Sequence, residues 1–314
     1  MPENPAKNKN AADLAVSFCG VRLKNPIVAA SGTFGFGREY AELWDISRLG
    51  AISVKGLTRQ PRQGNPPPRI AETPAGMLNA VGLQNPGAEA FIKTELPFLR
   101  GFDLPVFANI SANTPEEYGE MARLLANAGV DLIEVNVSCP NVRAGGIQFG
   151  TDPAAVARVT EEVKKNAVSV PVAVKLSPNV TSIADIARAA ESAGADGISA
   201  INTLLGMRID LRRRRPVLHN NTGGLSGPAI FPVALRCVAD IYRAVKLPIC
   251  GGGGVMTARD AAEMMIAGAA CVSVGTATVF EPAAIPELLD GLPDLCRELG
   301  VGGIAELTGT LALN

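Results

Sequence analysis

Short apolar runs alternate with longer amphipathic segments along almost the whole chain. The runs occupy residues 26–30, 51–55, 106–110, 132–137, 172–176, 197–201, 248–250 and 271–274. They are apolar throughout rather than alternating, the pattern of parallel strands covered on both faces. Between them, residues 115–128, 153–167, 183–193, 229–245 and 257–267 carry apolar positions at helical spacing. Thr114-Pro115, Asp152-Pro153 and Thr257 stand where helix N-caps belong, and Ala128-Gly129 and Ala267-Gly268 where helices close.

Eight such units in 314 residues predict an α/β fold, a (β/α)8 TIM barrel, with an open doubly wound sheet as the alternative. No linker or repeat divides the chain, so one barrel domain over 15–314 is expected after a flexible segment, 1–14. Residues 58–84, rich in Pro and Gly, and 204–228 exceed ordinary βα loops. They are expected as insertions at the C-terminal face of the strands, where they would wall and cover a site.

The composition, 47% hydrophobic and 19% charged, suits a large core. A net charge of −1 argues against nucleic-acid binding. Arg212-Arg213-Arg214-Arg215 reads first as a solvated loop, with an anionic or acidic partner surface as the alternative. The six cysteines (19, 139, 237, 250, 271 and 296) form no C-x-x-C pair, so no metal or iron–sulfur site held by this chain is expected. Thiols in apolar runs, a polar start without a secretory segment, and no run approaching ~20 apolar residues predict a cytoplasmic protein outside the membrane.

A barrel gathers its chemistry at the carboxyl ends of its strands. Those ends carry Ser31, Lys55, Asn109, Asn136, Lys175, Asn202-Thr203, Gly253-Gly254 and Gly275-Thr276. The run Gly251 to Gly254 before a helix starting near Thr257, together with Gly275-Thr276, fits a phosphate on backbone N–H groups at a helix N-terminus; tight turns alone are the alternative. It is no dinucleotide fingerprint, because Met256 stands where a third glycine is needed. Lys55 and Lys175, each needing an anion or carbonyl when desolvated, would join Asn109, Asn136 and Asn202 around a flat, hydrogen-bonding ligand. A flavin fits, its phosphate on the glycines and its pyrimidine edge on a lysine, whose charge stabilises the reduced form. Asn136-Val137-Ser138-Cys139-Pro140-Asn141 places a thiol just past a strand end. It is either a buried core cysteine or a catalytic base beneath a glycine-bearing closing loop, 143–150.

Several motifs resemble those of dihydroorotate dehydrogenases of the class 1B type, catalytic subunit. They are Ala30-Ser31-Gly32-Thr33-Phe34-Gly35-Phe36-Gly37, Gly64-Asn65-Pro66-Pro67-Pro68-Arg69, and Met77 through Gly87. Asn136 to Asn141, Ile201-Asn202-Thr203, and Gly223-Gly224-Leu225-Ser226-Gly227-Pro228 complete the set. The resemblance implies FMN on Ser31, Lys55, Gly56, Asn109, Asn136, Lys175, Ile201, Gly227, Gly253, Gly254, Gly275 and Thr276. It implies orotate or dihydroorotate on Lys55, Asn79, Ala80, Val81, Gly82, Leu83, Asn136, Asn202 and Thr203. Cys139 would remove the C5 proton while a hydride leaves C6 for flavin N5, a step of de novo pyrimidine (UMP) biosynthesis. A thiol titrating near ~8.5 would give a rate that rises with pH.

The resemblance further implies a separate electron-transfer subunit with FAD and a [2Fe-2S] cluster, passing electrons to NAD⁺, on a homodimer core within a heterotetramer. Residues 1–14 lack the apolar helical extension of the quinone-using relatives. A related FMN enzyme acting on uracil-type dihydropyrimidines, or a barrel kept only as a scaffold, are the alternative functions.

Overall fold

The computed structural model describes residues 12–137 and 149–314. The eight apolar runs form one closed parallel barrel. Its strands are β1 (Ile27–Ala29), β2 (Ala51–Ser53), β3 (Val106–Ile110), β4 (Leu132–Asn136), β5 (Val172–Lys175), β6 (Gly197–Ala200), β7 (Ile249–Gly252) and β8 (Cys271–Val274). Each pairs with its sequence neighbours, and β8 returns to β1, so the barrel has no open edge. The expected TIM barrel is present, and the open sheet is excluded.

The predicted caps form. Thr114 Oγ1 accepts from Glu117 N at 3.2 Å, and Asp152 accepts from Ala154 N and Ala155 N at 3.1 and 3.2 Å. Thr257 and Asp260 make a reciprocal capping box at the start of Ala258–Ile266. Helices Pro115–Asn127, Pro153–Asn166, Ile183–Ser192, Phe231–Ala244 and Ala258–Ile266 pack their apolar faces on the barrel. Ala284–Leu299 completes the layer, with Ile285, Leu288, Leu292 and Leu295 buried.

A short hairpin, Val16–Phe18 with Val21–Leu23, precedes the barrel. Phe18 is buried, its ring 6.0 Å from that of Phe107 on β3. Asp13 N donates to Gly302 O at 3.0 Å, tying the start of the described chain to its last turns.

The two insertions do more than lengthen loops. Ile70–Thr73 and Gly76–Asn79 from the first lie side by side with Leu204–Gly206 and Gly223–Ser226 from the second in one four-stranded antiparallel sheet, joined through Gly76–Asn79 and Gly223–Ser226. Gly224, Leu225 and Ser226 lie opposite Asn79, Leu78 and Met77. The sheet has its own small core of Ala71, Leu78, Ala80 and Leu218. Arg212 to Arg215 turn a separate hairpin, Ile209–Asp210 with Arg215–Pro216. There Asp210 Oδ1 accepts from Arg212 N and Arg213 N at 3.0 and 3.1 Å, and the arginines are exposed. No helix among the described residues is long and apolar enough to cross a membrane.

Candidate active site

The strand ends and the insertion sheet enclose a cavity of about 310 Å³ at the carboxyl end of the barrel. Its size falls in the usual range for small-molecule sites, roughly 300–1,000 Å³. Ser31, Lys55, Gly56, Asn109, Asn136, Lys175, Ile201, Asn202, Thr203, Gly253, Gly254, Gly275 and Thr276 all line it. So do Asn79, Val81, Gly82 and Leu83 from the first insertion.

Strand periodicity explains what the insertion contributes. Side chains alternate across a strand, so Met77, Asn79 and Val81 face the cavity while Leu78 and Ala80 enter the small core behind. Ala80 therefore does not line the cavity; its N–H donates to Arg69 O and its carbonyl accepts from Asn65 Nδ2, both at 2.8 Å. Gly82 (φ 76°) and Leu83 (φ 57°) follow in left-handed conformation, and a Cβ on Gly82 would lie 2.6 Å from the Asn65 side chain. A side chain at position 82 would be strained there.

Gly227 also lies off the cavity wall, packed between Gly76 and Gly254. Its carbonyl oxygen would sit 2.8 Å from a Cβ on Gly254, whose φ is 81°, so the close approach holds both positions to glycine. Cys139 and residues 143–148 of the expected closing loop lie outside the described residues. Gly150 N donates to Val137 O at 2.9 Å, holding the two flanks of that stretch together. The other five cysteines are free and none lines the cavity; burial pushes the thiols of Cys19, Cys237, Cys271 and Cys296 up.

One expectation about the anion site changes in detail. Asp260 Oδ2 accepts from Met256 N and Thr257 N at 2.9 and 2.8 Å, so the helix supplies its own N-terminal acceptor. An anion here would meet the loop amides of Gly253 and Gly254, before that helix, and of Gly275 and Thr276, after β8, in the manner of a backbone nest.

The floor of the cavity is cross-linked by polar groups. Lys175 Nζ donates to Ser31 Oγ at 3.3 Å and lies 3.8 Å from Glu134 Oε2. That oxygen also accepts from Ser53 Oγ at 2.7 Å and Asn109 Nδ2 at 2.6 Å. Asn136 Nδ2 in turn donates to Asn109 Oδ1 at 3.4 Å. Burial alone would raise the Glu134 pKa, yet it lies below the ordinary glutamate value. The Lys175 ammonium and hydrogen bonds from Ser199, Asn109 and Ser53 overcome the desolvation. Glu134 is thus an ionised carboxylate inside the barrel. The sequence reading passed over it, although a lone acid within the apolar run Leu132-Ile133-Glu134-Val135 is itself a signal.

On the second insertion, Asn179 pins the chain as it leaves β6. Its Nδ2 donates to Thr203 O and its Oδ1 accepts from Leu205 N, both at 2.9 Å. Asn202 Oδ1 accepts from Thr203 N at 2.8 Å, fixing the loop that carries both residues. The arrangement gathers two lysines, four carboxamides and a ring of backbone amides around one apolar-walled space. It suits a flat, anionic, hydrogen-bonding ligand with a phosphate at one end.

Comparison with known proteins agrees with that geometry. The family model described as dihydroorotate dehydrogenase matches residues 13–296. A Bacillus mycoides (strain KBAB4) protein named dihydroorotate dehydrogenase B (NAD(+)), catalytic subunit, is 54% identical over 297 residues, 94% of this chain and 96% of that one. Proteins of the same name from Geobacillus sp. (strain WCH70) and Geobacillus kaustophilus (strain HTA426) are 53% and 54% identical, each over 94% of this chain and 95% of their own. With a cavity of this character in a closed barrel and matches over nearly its full length, the chain belongs to the dihydroorotate dehydrogenase family.

Proposed function

We propose that this chain oxidises dihydroorotate to orotate in pyrimidine biosynthesis, with FMN held in the barrel cavity. The observation that carries the reading is the convergence of Lys55, Lys175, Asn79, Asn109, Asn136 and Asn202 with the amides of Gly253, Gly254, Gly275 and Thr276 on one space. The donor set fits FMN: the glycine-rich end takes its phosphate, and the lysines and carboxamides take its polar ring edge. When bound, FMN supplies the acceptor for the hydride leaving C6 of dihydroorotate.

The chain's own residues do the rest. Lys55 and the carboxamides hold the substrate carboxylate and ring carbonyls, and orientation of this kind lowers the barrier by removing motional freedom before the chemical step. Met77, Val81 and Leu83 wall the substrate from water, which strengthens those contacts. Cys139, as thiolate, takes the C5 proton onto sulfur and returns it to solvent after orotate leaves. A partner subunit carrying FAD and a [2Fe-2S] cluster, docked on a homodimer of this chain in the cytoplasm, would pass the electrons to NAD⁺. The relatives' printed names, with NAD(+) and a catalytic subunit, support that route.

The test is a stopped-flow trace. Cys139→Ala is expected to keep the yellow flavin and orotate binding while flavin reduction by dihydroorotate falls about 10²–10⁴-fold. Near-normal reduction would remove Cys139 from the base role. Difference spectra decide the substrate: Lys55 and Lys175 favour an acid, so orotate should perturb the flavin and uracil should not.

A further inference from the structure

Among the described residues Glu134 is the one fully buried carboxylate, and it has no place in the function as proposed so far. It sits two residues before Asn136 on β4, hence on the same face and one layer deeper in the barrel. Its side chain is 5% exposed and that of Lys175 12%. The groups it holds come from β2 (Ser53), β3 (Asn109), β5 (Lys175) and β6 (Ser199), the strands on both sides of its own.

A carboxylate only accepts hydrogen bonds. Asn109 must therefore turn its NH₂ down to Glu134 and its carbonyl oxygen up, where it receives the Asn136 NH₂. The donor–acceptor polarity of two cavity carboxamides thus follows from one charge beneath them. A glutamine there would fill the same space but can also donate, which permits the opposite polarity. The same charge faces Lys175 from below. A ligand above it meets the field of an ion pair rather than that of a bare ammonium.

We propose that Glu134 is a positioning residue that fixes the polarity of Asn109 and Asn136 and, by partly neutralising Lys175, sets how readily the bound flavin accepts a hydride. The inference rests on the cavity being an FMN site. It assigns no contact between Glu134 and substrate.

The test is the midpoint potential of bound FMN in the parent protein, Glu134→Gln, Lys175→Met and the double variant. Removing the negative charge leaves Lys175 uncompensated, so Glu134→Gln should favour reduced over oxidised FMN at least tenfold more than the parent. That corresponds to a rise of about 30 mV for a two-electron couple. In the Lys175→Met background the same substitution should move the potential far less. An unchanged potential in Glu134→Gln, or an equal rise in both backgrounds, overturns the proposal. Should Glu134→Gln fail to fold, Ser53→Ala combined with Ser199→Ala strips two of the donors that hold the carboxylate ionised. A carboxyl group that takes up a proton leaves Lys175 uncompensated, so the potential should rise above the parent's, and no change would overturn the proposal. A parent protein that takes up no FMN defeats the flavin reading and this inference together, an outcome distinct from all the others.

Discussion

The floor and the wall of the cavity are built on opposite principles. The floor consists of barrel strand ends in which charged and amide side chains are buried and joined through Glu134, Asn109, Asn136 and Lys175. The wall is a four-stranded sheet drawn from two insertions, with a core of only Ala71, Leu78, Ala80 and Leu218 and with Ile70 and Leu205 exposed. A network whose partners come from five strands of a closed barrel cannot shift one member without unpairing another. The wall's strands, at three or four residues each, are joined mainly to one another by their backbone ladder and rest on that small core. Under the proposed function, the floor holds the part of the ligand set that stays bound, and the wall meets the part that must enter and leave.

Glu134→Ala tests the floor most severely. It strips Lys175 of its buried partner and leaves the Ser53 and Asn109 donors without an acceptor, which should cost about 3–5 kcal/mol in urea unfolding. The acid limb has a defined sign. Because the folded-state pKa of Glu134 lies below the ordinary value of 4.5, its stabilisation is fully present above the unfolded pKa. It is lost as pH falls through the lower folded value. Glu134→Gln should accordingly lose stability less steeply with acid below pH about 4.5 than the parent does. Parallel slopes would mean that Glu134 is not ionised in the fold.

Leu78→Ala strikes the wall's core and should cost about 2–3 kcal/mol, the lower end for such truncations, because so small a core relaxes easily. The loss should appear as faster hydrogen exchange confined to the insertion sheet, with a raised KM for dihydroorotate and unchanged FMN content. Loss of FMN along with it would erase the distinction between floor and wall. A smaller effect belongs to Gly82→Ala, which places a Cβ against Asn65 at a φ of 76°. The left-handed penalty of about 1–2 kcal/mol should again show in KM before it shows in flavin content.

The same contrast explains what was legible in the sequence. Strands buried on both faces leave continuous apolar runs, so all eight were visible. β7 was cut two residues short, because Gly251 and Gly252 pair in the sheet while carrying no strand propensity, and β2 was carried two residues past Ser53. A Cβ on Gly252 would meet Ser273 Oγ at 2.0 Å, so packing rather than preference selects glycine there. The wall left no such trace. Gly76–Asn79 pairs with Gly223–Ser226, far along the chain, and neither segment shows a period long enough to read alone. Asn79, Val81, Gly82 and Leu83 came only from the family resemblance, and so did Ala80, which the pleat turns to the rear. The helical stretch 88–99 was hidden by Pro97 and by a wide π turn over Phe91–Glu95. Glu134 was legible as an acid in an apolar run, but its partners are set by barrel closure, which no local pattern encodes.

The mildest perturbation asks how far the floor depends on support from outside the barrel. Tyr118, on helix Pro115–Asn127, donates its hydroxyl to the main-chain oxygen of Asn136 at 2.8 Å, and its ring meets Phe149 edge-on at 6.1 Å. It thus braces both flanks of the stretch that carries Cys139. Tyr118→Phe keeps the ring contact and deletes one buried hydrogen bond, a cost of about 1 kcal/mol. If the Glu134 network holds Asn136 by itself, flavin affinity stays at the parent value and reduction by dihydroorotate slows only a fewfold. A slowing comparable to that of Cys139→Ala, with flavin affinity intact, would show that the end of β4 takes its alignment from the outer helix. The cross-linked floor would then be necessary for the site but not sufficient to aim the base.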